Sequence, residues 1–461
     1  AEHWDRAEDP RAAVAYLGAA ESEATRFRYE HALTLADRGL ELTAEGGPRF
    51  ALLMARGGLL LELGRTAESI DAYRAALDAA ADDAQRARAL IGMASGMRIN
   101  DSIDDGLAAL AKAQPLAEQA GLALELARLH HLRGNLFFPL GRLDECLREH
   151  QASLEYARAA GSIEAEATAV GGLGDAYYLQ GRMRSAHEQF ARCVELSREH
   201  GFARLEASVL HMVGWTSEYL LQPRNALDIG LEGTVLAKRL SDPRAELLSH
   251  ALVAAMAGRA LCDLDLAAVH AKEQRRLAEL LDANRFFSQA LHNAAQIALA
   301  KGDRDAALTL CRQGLTDVGE AGLRFVGPIL YGVMARAVQN VTAGAKALHE
   351  AEALLKAGAV SHNHFWFGFD AIDARLEWMD WDGIERSCAQ LERYAAREPL
   401  PWSDFVIARG RALARFGRGE RSDELRSALS ALRETAARAE FNAALPALDS
   451  ALANLGSDPC G

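Results

Sequence analysis

The sequence predicts an all-α chain: a right-handed superhelical solenoid of about ten antiparallel helical hairpins with a period of about 40 residues. Alanine makes up about a fifth of the 461 residues while Val, Ile and Thr are sparse, which is a helix-former's composition. The length exceeds the roughly 250–300 residues at which a single core stops growing, so it implies several domains or one elongated array. A small residue then recurs at Gly57, Ser95, Gly134, Gly174, Gly214, Ala255, Ala295, Ala335, Ala374 and Gly410, with gaps of 36 to 41 residues. A fixed period of this size marks stacked repeats. Two helices can cross closely at such a point because neither side chain holds the backbones apart.

The elements follow in order. Residues 1–45 carry Trp4, Ala12, Ala15, Tyr16, Ala32 and Leu35 at helical spacing but miss the 40-residue register. They read as irregular N-terminal helices, a hairpin and a half, forming the junction to an upstream domain. Gly46-Gly47-Pro48 is the break, and residues 46–461 form the array with an aromatic-rich C-terminal part. Gly64-Arg65, Gly141-Arg142, Gly181-Arg182 and Gly302-Asp303 stop helices, and Pro223 and Pro243 open them. Within Val170–Cys193, Leu173-Gly174-Asp175-Ala176-Tyr177 followed by Ala186 and Phe190 resembles the tetratricopeptide repeat in its spacing. The longer period adds nearly one turn to each helix, giving helices of roughly 17 residues and about 25 Å. First helices of such a stack line a concave groove, and contacts confined to neighbours leave the array compliant.

The net charge of −13 argues against a nucleic-acid or anionic-membrane partner. The longest uncharged stretches, Leu247–Gly258 and Ala357–Phe369, fall short of the roughly 18–20 residues of a membrane span. With no secretory pattern at the start, the expected location is cytoplasmic. The six cysteines, at 146, 193, 262, 311, 388 and 460, form no C-x-x-C pair. Five are expected within helices as small buried hydrophobes. Catalytic signatures are absent. Gly327-Pro328-Ile329-Leu330-Tyr331-Gly332 continues with Val333 instead of a phosphate-binding Lys, and Gly172-x-Gly174 lies inside a helical pattern. The chain therefore reads as a non-enzyme, with no catalytic residue, cofactor or metal site expected.

Binding is the better expectation. Positions three before, one after and four after each small residue should face the groove. In the middle repeats they hold His131, Asn135 and Phe138; Asp175 and Tyr178; His211, Trp215 and Glu218; Arg259; and His292 and Gln296, with Arg128 one turn earlier. In the first two repeats the same positions hold Met54, Gly58, Leu61, Gly92, Gly96 and Ile99, so the groove is bland at its start and polar-aromatic in its centre. That mixture suits a protein or peptide partner, or alternatively a small-molecule effector in a pocket within the array. Trp366, Trp378, Trp381 and Trp402, with Phe365, Phe367, Phe369 and Phe405, read as a bulky terminal core. His362-x-His364 is half of a metal pattern without further ligands. Arg411, Arg415 and Arg418 share a helical face expected to be solvated or partner-facing.

Several strings carry a more specific likeness: Leu323-Arg-Phe-Val-Gly-Pro328, Ser361-His-Asn-His-Phe-Trp-Phe367, Glu398-Pro-Leu-Pro-Trp-Ser-Asp-Phe405, Ala408-Arg-Gly-Arg-Ala-Leu413 and the opening Ala1-Glu-His-Trp-Asp-Arg-Ala-Glu-Asp-Pro10. They resemble the C-terminal tetratricopeptide-like repeat region of bacterial multidomain class III adenylate/guanylate cyclases that contain an AAA- or STAND-type ATPase domain. The resemblance implies a regulatory array that conveys the state of a partner or ligand to an ATPase and an output domain. It implies no catalytic residue within the repeats.

Overall fold

The computed structural model describes residues 1–9, 11–43, 47–316 and 318–456. Pro10, Gly46 and Cys460, named above, lie outside them. Among the described residues every regular element is a helix. Ten hairpins follow one another from Gly47–Glu62 with Thr66–Asp78 to Pro401–Gly417 with Asp423–Arg438. A short helix, Glu2–Arg6, and a hairpin of Ala12–Ala24 with Tyr29–Glu41 precede them, and Leu445–Gly456 follows. Many of the helices are 17 residues long, as in Ile163–Leu179 and Ala203–Tyr219. Pro223 and Pro243 open their helices, and Asp242, Asp263 and Asp303 each cap one by accepting the backbone N–H three residues on.

The periodic small residues have a sharper role than close backbone crossing. A Cβ on Gly57 would meet the Tyr73 ring at 2.8 Å, one on Gly134 the His150 ring at 2.6 Å, and one on Gly174 the Phe190 ring at 2.5 Å. In these repeats the glycine is a socket for the ring sixteen residues later, on the second helix of the same hairpin. Ala295, Ala335 and Ala374 are wholly buried at the equivalent points. Ser95 departs from the expectation. It is half-buried and donates to its own helix at Ile91 O, while its neighbour Ala94 is fully buried, as is Leu110 sixteen residues after Ala94 on the second helix of that hairpin. The register there is one residue earlier than the sequence reading placed it. Cys262 is a second correction. It lies on the surface in a turn at φ 61°, whereas Cys146, Cys193, Cys311 and Cys388 are buried.

The array is not held by neighbour contacts alone. Its superhelix is wound so tightly that one coil rests on the next, joining residues between 142 and 217 positions apart. Arg204 reaches Tyr29 and Glu62, Arg285 pairs with Asp101, and Asn442 donates to Leu261 O. Arg324 donates to Leu140 O, and the Ser361 hydroxyl donates to Tyr178 O. Turn glycines serve the same contact. Gly141 and Gly358, at φ 67° and 96°, meet so closely that a Cβ on Gly141 would run into the Gly358 carbonyl oxygen. The strings around Arg324, Ser361 and Glu398 thus clasp the second coil to the first.

Glu398 illustrates the clasp. The helix Met183–His200 has no side-chain cap of its own. Glu398, from the other coil, supplies one by accepting from Arg184 N at 2.7 Å, Ser185 N at 3.2 Å and the Ser185 hydroxyl at 2.6 Å. A lost cap with a charged acceptor costs about 1–2 kcal/mol. Glu398→Ala is therefore expected to lower the unfolding free energy by that amount, read as a fall in the urea midpoint at constant slope, and an unchanged midpoint would show the cap to be idle.

Most of the aromatic-rich end is core: Trp366, Trp402, Phe365, Phe367, Phe369 and Phe405 are at most 4% exposed, whereas Trp378 and Trp381 are half-buried at its edge. Of the C-terminal arginines, Arg411, Arg415 and Arg418 make surface pairs with Glu392, Glu420 and Asp382. Arg409 instead is buried and held by Asp373 at 2.7 Å. No helix among the described residues is long and apolar enough to cross a membrane.

Candidate binding cavity

Where the coils meet, first helices from nine successive hairpins line a partly open cavity of about 460 Å³, with wall residues running from Leu61 to Trp366. Its level in the stack is set by the winding. Early hairpins contribute the C-terminal ends of their first helices, as with Leu61, Glu62, Arg98 and Ile99, and late hairpins contribute the N-terminal ends, as with Arg285, Phe325 and His362. The middle helix Ala203–Tyr219 lines it over its whole length, from Arg204 to Tyr219.

This geometry sorts the residues expected from the sequence. His131, Asn135, Phe138, Asp175, Tyr178, His211, Trp215, Arg259 and His292 all line the cavity. Glu218 sits directly behind Arg259, 2% exposed and 2.8 Å from its guanidinium. Arg128 and Gln296 lie outside the lining. Arg128 is exposed near the N-terminal end of an early helix, and Gln296 lies near the C-terminal end of a late one. Both are therefore at the wrong level of the stack, although Gln296 still approaches His292 at 3.5 Å.

One end of the cavity is aromatic. The first helix of the sixth of the ten hairpins passes into a π-helical turn at Met256–Ala260. The extra residue carries Arg259 over the Trp366 ring, 3.4 Å from its centroid, with Trp215 at 5.3 Å. Glu218 neutralises Arg259, yet burial holds the Glu218 carboxyl up at about 7 despite that cation. Removing either partner of so buried a pair costs about 3–5 kcal/mol, because the other charge is stranded. Tyr178 stacks on Phe138 and edges against Tyr219, and His362 Nε2 lies 2.7 Å from Phe325 O. His364, two residues on, stacks on Tyr394 instead, so the two histidines face different surroundings. Among the described residues no three His, Cys, Asp or Glu side chains are grouped to hold a metal ion.

The other end is charged. Arg98, Arg244 and Arg285 line it beside Asp175, His131 and His211. Burial and the Arg285 cation hold Arg98 down at about 10, and burial with Arg98 and Arg285 depresses Arg244 strongly. Burial raises the Asp175 carboxyl to about 7 against the pull of Arg98 and Arg244. Burial keeps the imidazoles of His131, His211 and His292 neutral, each at about 3.

Sequence reasoning missed this charged end. Counted from the fully buried Ala94, Arg98 occupies the groove-facing position four residues on; the Ser95 register hid it. Arg244 and Arg285 sit in the first turns of their helices, away from the mid-helix positions the period singles out. Nothing local in the sequence says that a coil about 180 residues away will bring them to Arg98.

The repeat architecture agrees with known families. Residues 50–158 match a family model described as Tetratrico peptide repeat, and residues 125–199 match one described as Tetratricopeptide repeat. The chain is a tetratricopeptide-like solenoid. No curated protein matches it. Among solved structures it is similar to a Rap protein complexed with Competence and Sporulation Factor, at 10% identity and a TM-score of 0.56, over 75% of this chain and 98% of that one. It is also similar to the apo form of RapI, at 14% identity and TM-score 0.34, over 88% of this chain and 99% of the other. Yeast Tom70 matches at 13% identity and TM-score 0.37, over 96% of each chain. At such identities the likeness to the Rap protein is one of fold.

Proposed function

We propose that this chain is a non-catalytic sensor that takes a short peptide segment in its central cavity. The observation that carries this reading is the partly open cavity of about 460 Å³, walled by polar and aromatic side chains from successive first helices. That volume lies within the range of small-ligand sites and admits a few residues of extended chain, not a folded domain. A fold-level neighbour complexed with Competence and Sporulation Factor supports the same reading by analogy. The aromatic end of the cavity favours a second reading, a small-molecule effector, whose apolar part would rest on Trp215 and Trp366. In either case the ligand touches both coils, so occupancy would alter how tightly they close.

The resemblance to the cyclase repeat regions extends the proposal: residues 1–45 would join the array to an upstream ATPase, and the closed or open state of the coils would control the attached nucleotide cyclase. The test is native mass spectrometry of the purified chain. A co-purifying peptide or small molecule is expected, lost on unfolding and at least tenfold weaker in a Trp215→Ala, His211→Ala double variant. A bound molecule indifferent to that double variant would move the site elsewhere. Nucleotide cyclisation or ATP hydrolysis by the chain alone would overturn the non-catalytic reading.

A further inference from the structure

The charged end of the cavity holds more cationic hydrogen-bonding capacity than the protein uses. Arg98 Nε, an Arg244 Nη atom and Arg285 Nε are buried without a hydrogen-bond partner. Arg285 has Asp101 at 3.2 Å, but no carboxylate among the described residues forms an ion pair or hydrogen bond with Arg98 or Arg244. The acids nearby are otherwise engaged or only partly ionised. Asp242 caps its own helix and meets Arg204, and Asp175 makes no ion pair and sits near its midpoint at pH 7. Beyond burial, the Arg285 cation depresses Arg98, and the Arg98 and Arg285 cations depress Arg244, so the guanidiniums of Arg98 and Arg244 lie within reach of neighbouring positive charge. His131 adds a donor. Its Nε2 lies 2.9 Å from the Asn135 amide nitrogen, so in the neutral ring the proton resides on Nδ1, which is buried and unpartnered.

Buried cations are retained where something pairs with them, and an unpaired one is costly. Guanidinium forks match planar or tetrahedral oxyanions best. We propose that this end of the cavity is an oxyanion site, in which Arg98 and Arg244, assisted by the His131 Nδ1–H, bind a carboxylate or phosphate group of the ligand. The inference rests on the reading of the cavity as a ligand site and specifies one end of that ligand. The aromatic end, with Arg259 already paired to Glu218, takes an uncharged part.

The test compares melting temperatures of the whole chain at matched ionic strength in sodium chloride, in inorganic phosphate, and with tri-alanine bearing either a free or an amidated C-terminus. A saturable rise with phosphate alone identifies a phosphate site. A rise with free but not amidated tri-alanine identifies a carboxylate site. In Arg98→Gln and Arg244→Gln the apparent affinity is expected to fall at least tenfold, while in chloride alone both variants melt at or above the wild-type temperature, since one of two repelling cations is gone. Arg411→Gln, far from the cavity, serves as the control and should respond like the wild type. Three results would overturn the site: no saturable rise with either oxyanion, an undiminished response in both variants, or a fall in melting temperature in chloride, which would mark Arg98 and Arg244 as structural. If these fail while a co-purifying molecule still binds in a Trp215-dependent way, the oxyanion inference falls and the cavity reading stands.

Discussion

Gly174→Leu is expected to destabilise the chain by about 1–3 kcal/mol and to lower its melting temperature by several degrees. The cause is the ring of Phe190, itself only 1% exposed, which fills the space a side chain at 174 would need. Phe190 can retreat little, because it also lies on the cavity wall and packs within the large core cluster. The same logic makes Gly134→Leu costly, since His150 occupies its socket. Compensation is the sharper check. Phe190→Ala alone should cost about 3–5 kcal/mol, whereas the pair Gly174→Leu, Phe190→Ala should be less damaging than the sum of the two. Strict additivity in that double-mutant cycle would mean that the glycine and the ring do not meet.

Acid is expected to unfold the protein well before carboxylate titration would account for it. Burial holds His131, His211 and His292 at about 3 and His270, His362 and His364 at about 4, lowers His187, and keeps His150 well below the ordinary imidazole range. Once unfolded, each regains a value near 6.5. Between that value and the depressed one, the unfolded chain takes up protons that the native chain refuses, so stability is lost as pH falls through the window. Three buried carboxyls act in the opposite sense. Asp175 and Glu218, raised to about 7, and Asp370, raised to about 6, hold protons in the native state that the unfolded chain releases. The imidazoles outnumber them, and each uncompensated proton is worth about 1.4 kcal/mol per pH unit. A loss of more than about 3 kcal/mol between pH 7 and pH 5 follows. Urea midpoints measured across that range should fall steadily, and a flat or rising profile would contradict it.

The hairpins were legible in the sequence because each is a local object. Glycine sockets, proline openings and Gly-Arg turns act within about twenty residues, and their spacing survives in the chain as a period. The groove residues of the central repeats, such as His211 and Trp215, were legible for the same reason: a helix face is fixed by its own periodicity. What escaped belongs to the winding of the superhelix. The level at which the cavity forms excludes Arg128 and Gln296 and admits Arg244 and Arg285, and that level depends on small rotations between hairpins accumulated over nearly 200 residues. The one-residue misplacement at Ser95 and the π-turn that contains Arg259 are local departures from strict period, and each lies within a turn of a residue that lines the cavity, Arg98 and Arg259.

The contact between Gly141 and Gly358 acts as a mechanical stop. Backbone meets backbone there, with no side chain to yield, so it sets the shortest pitch the coil can adopt, as the touching turns of a closed spring fix its solid length. From that position the array can only lengthen. Any displacement of the coils then has one direction, and because rotations between hairpins add along the chain, a small separation at the cavity arrives at the two ends as a larger movement of known sign.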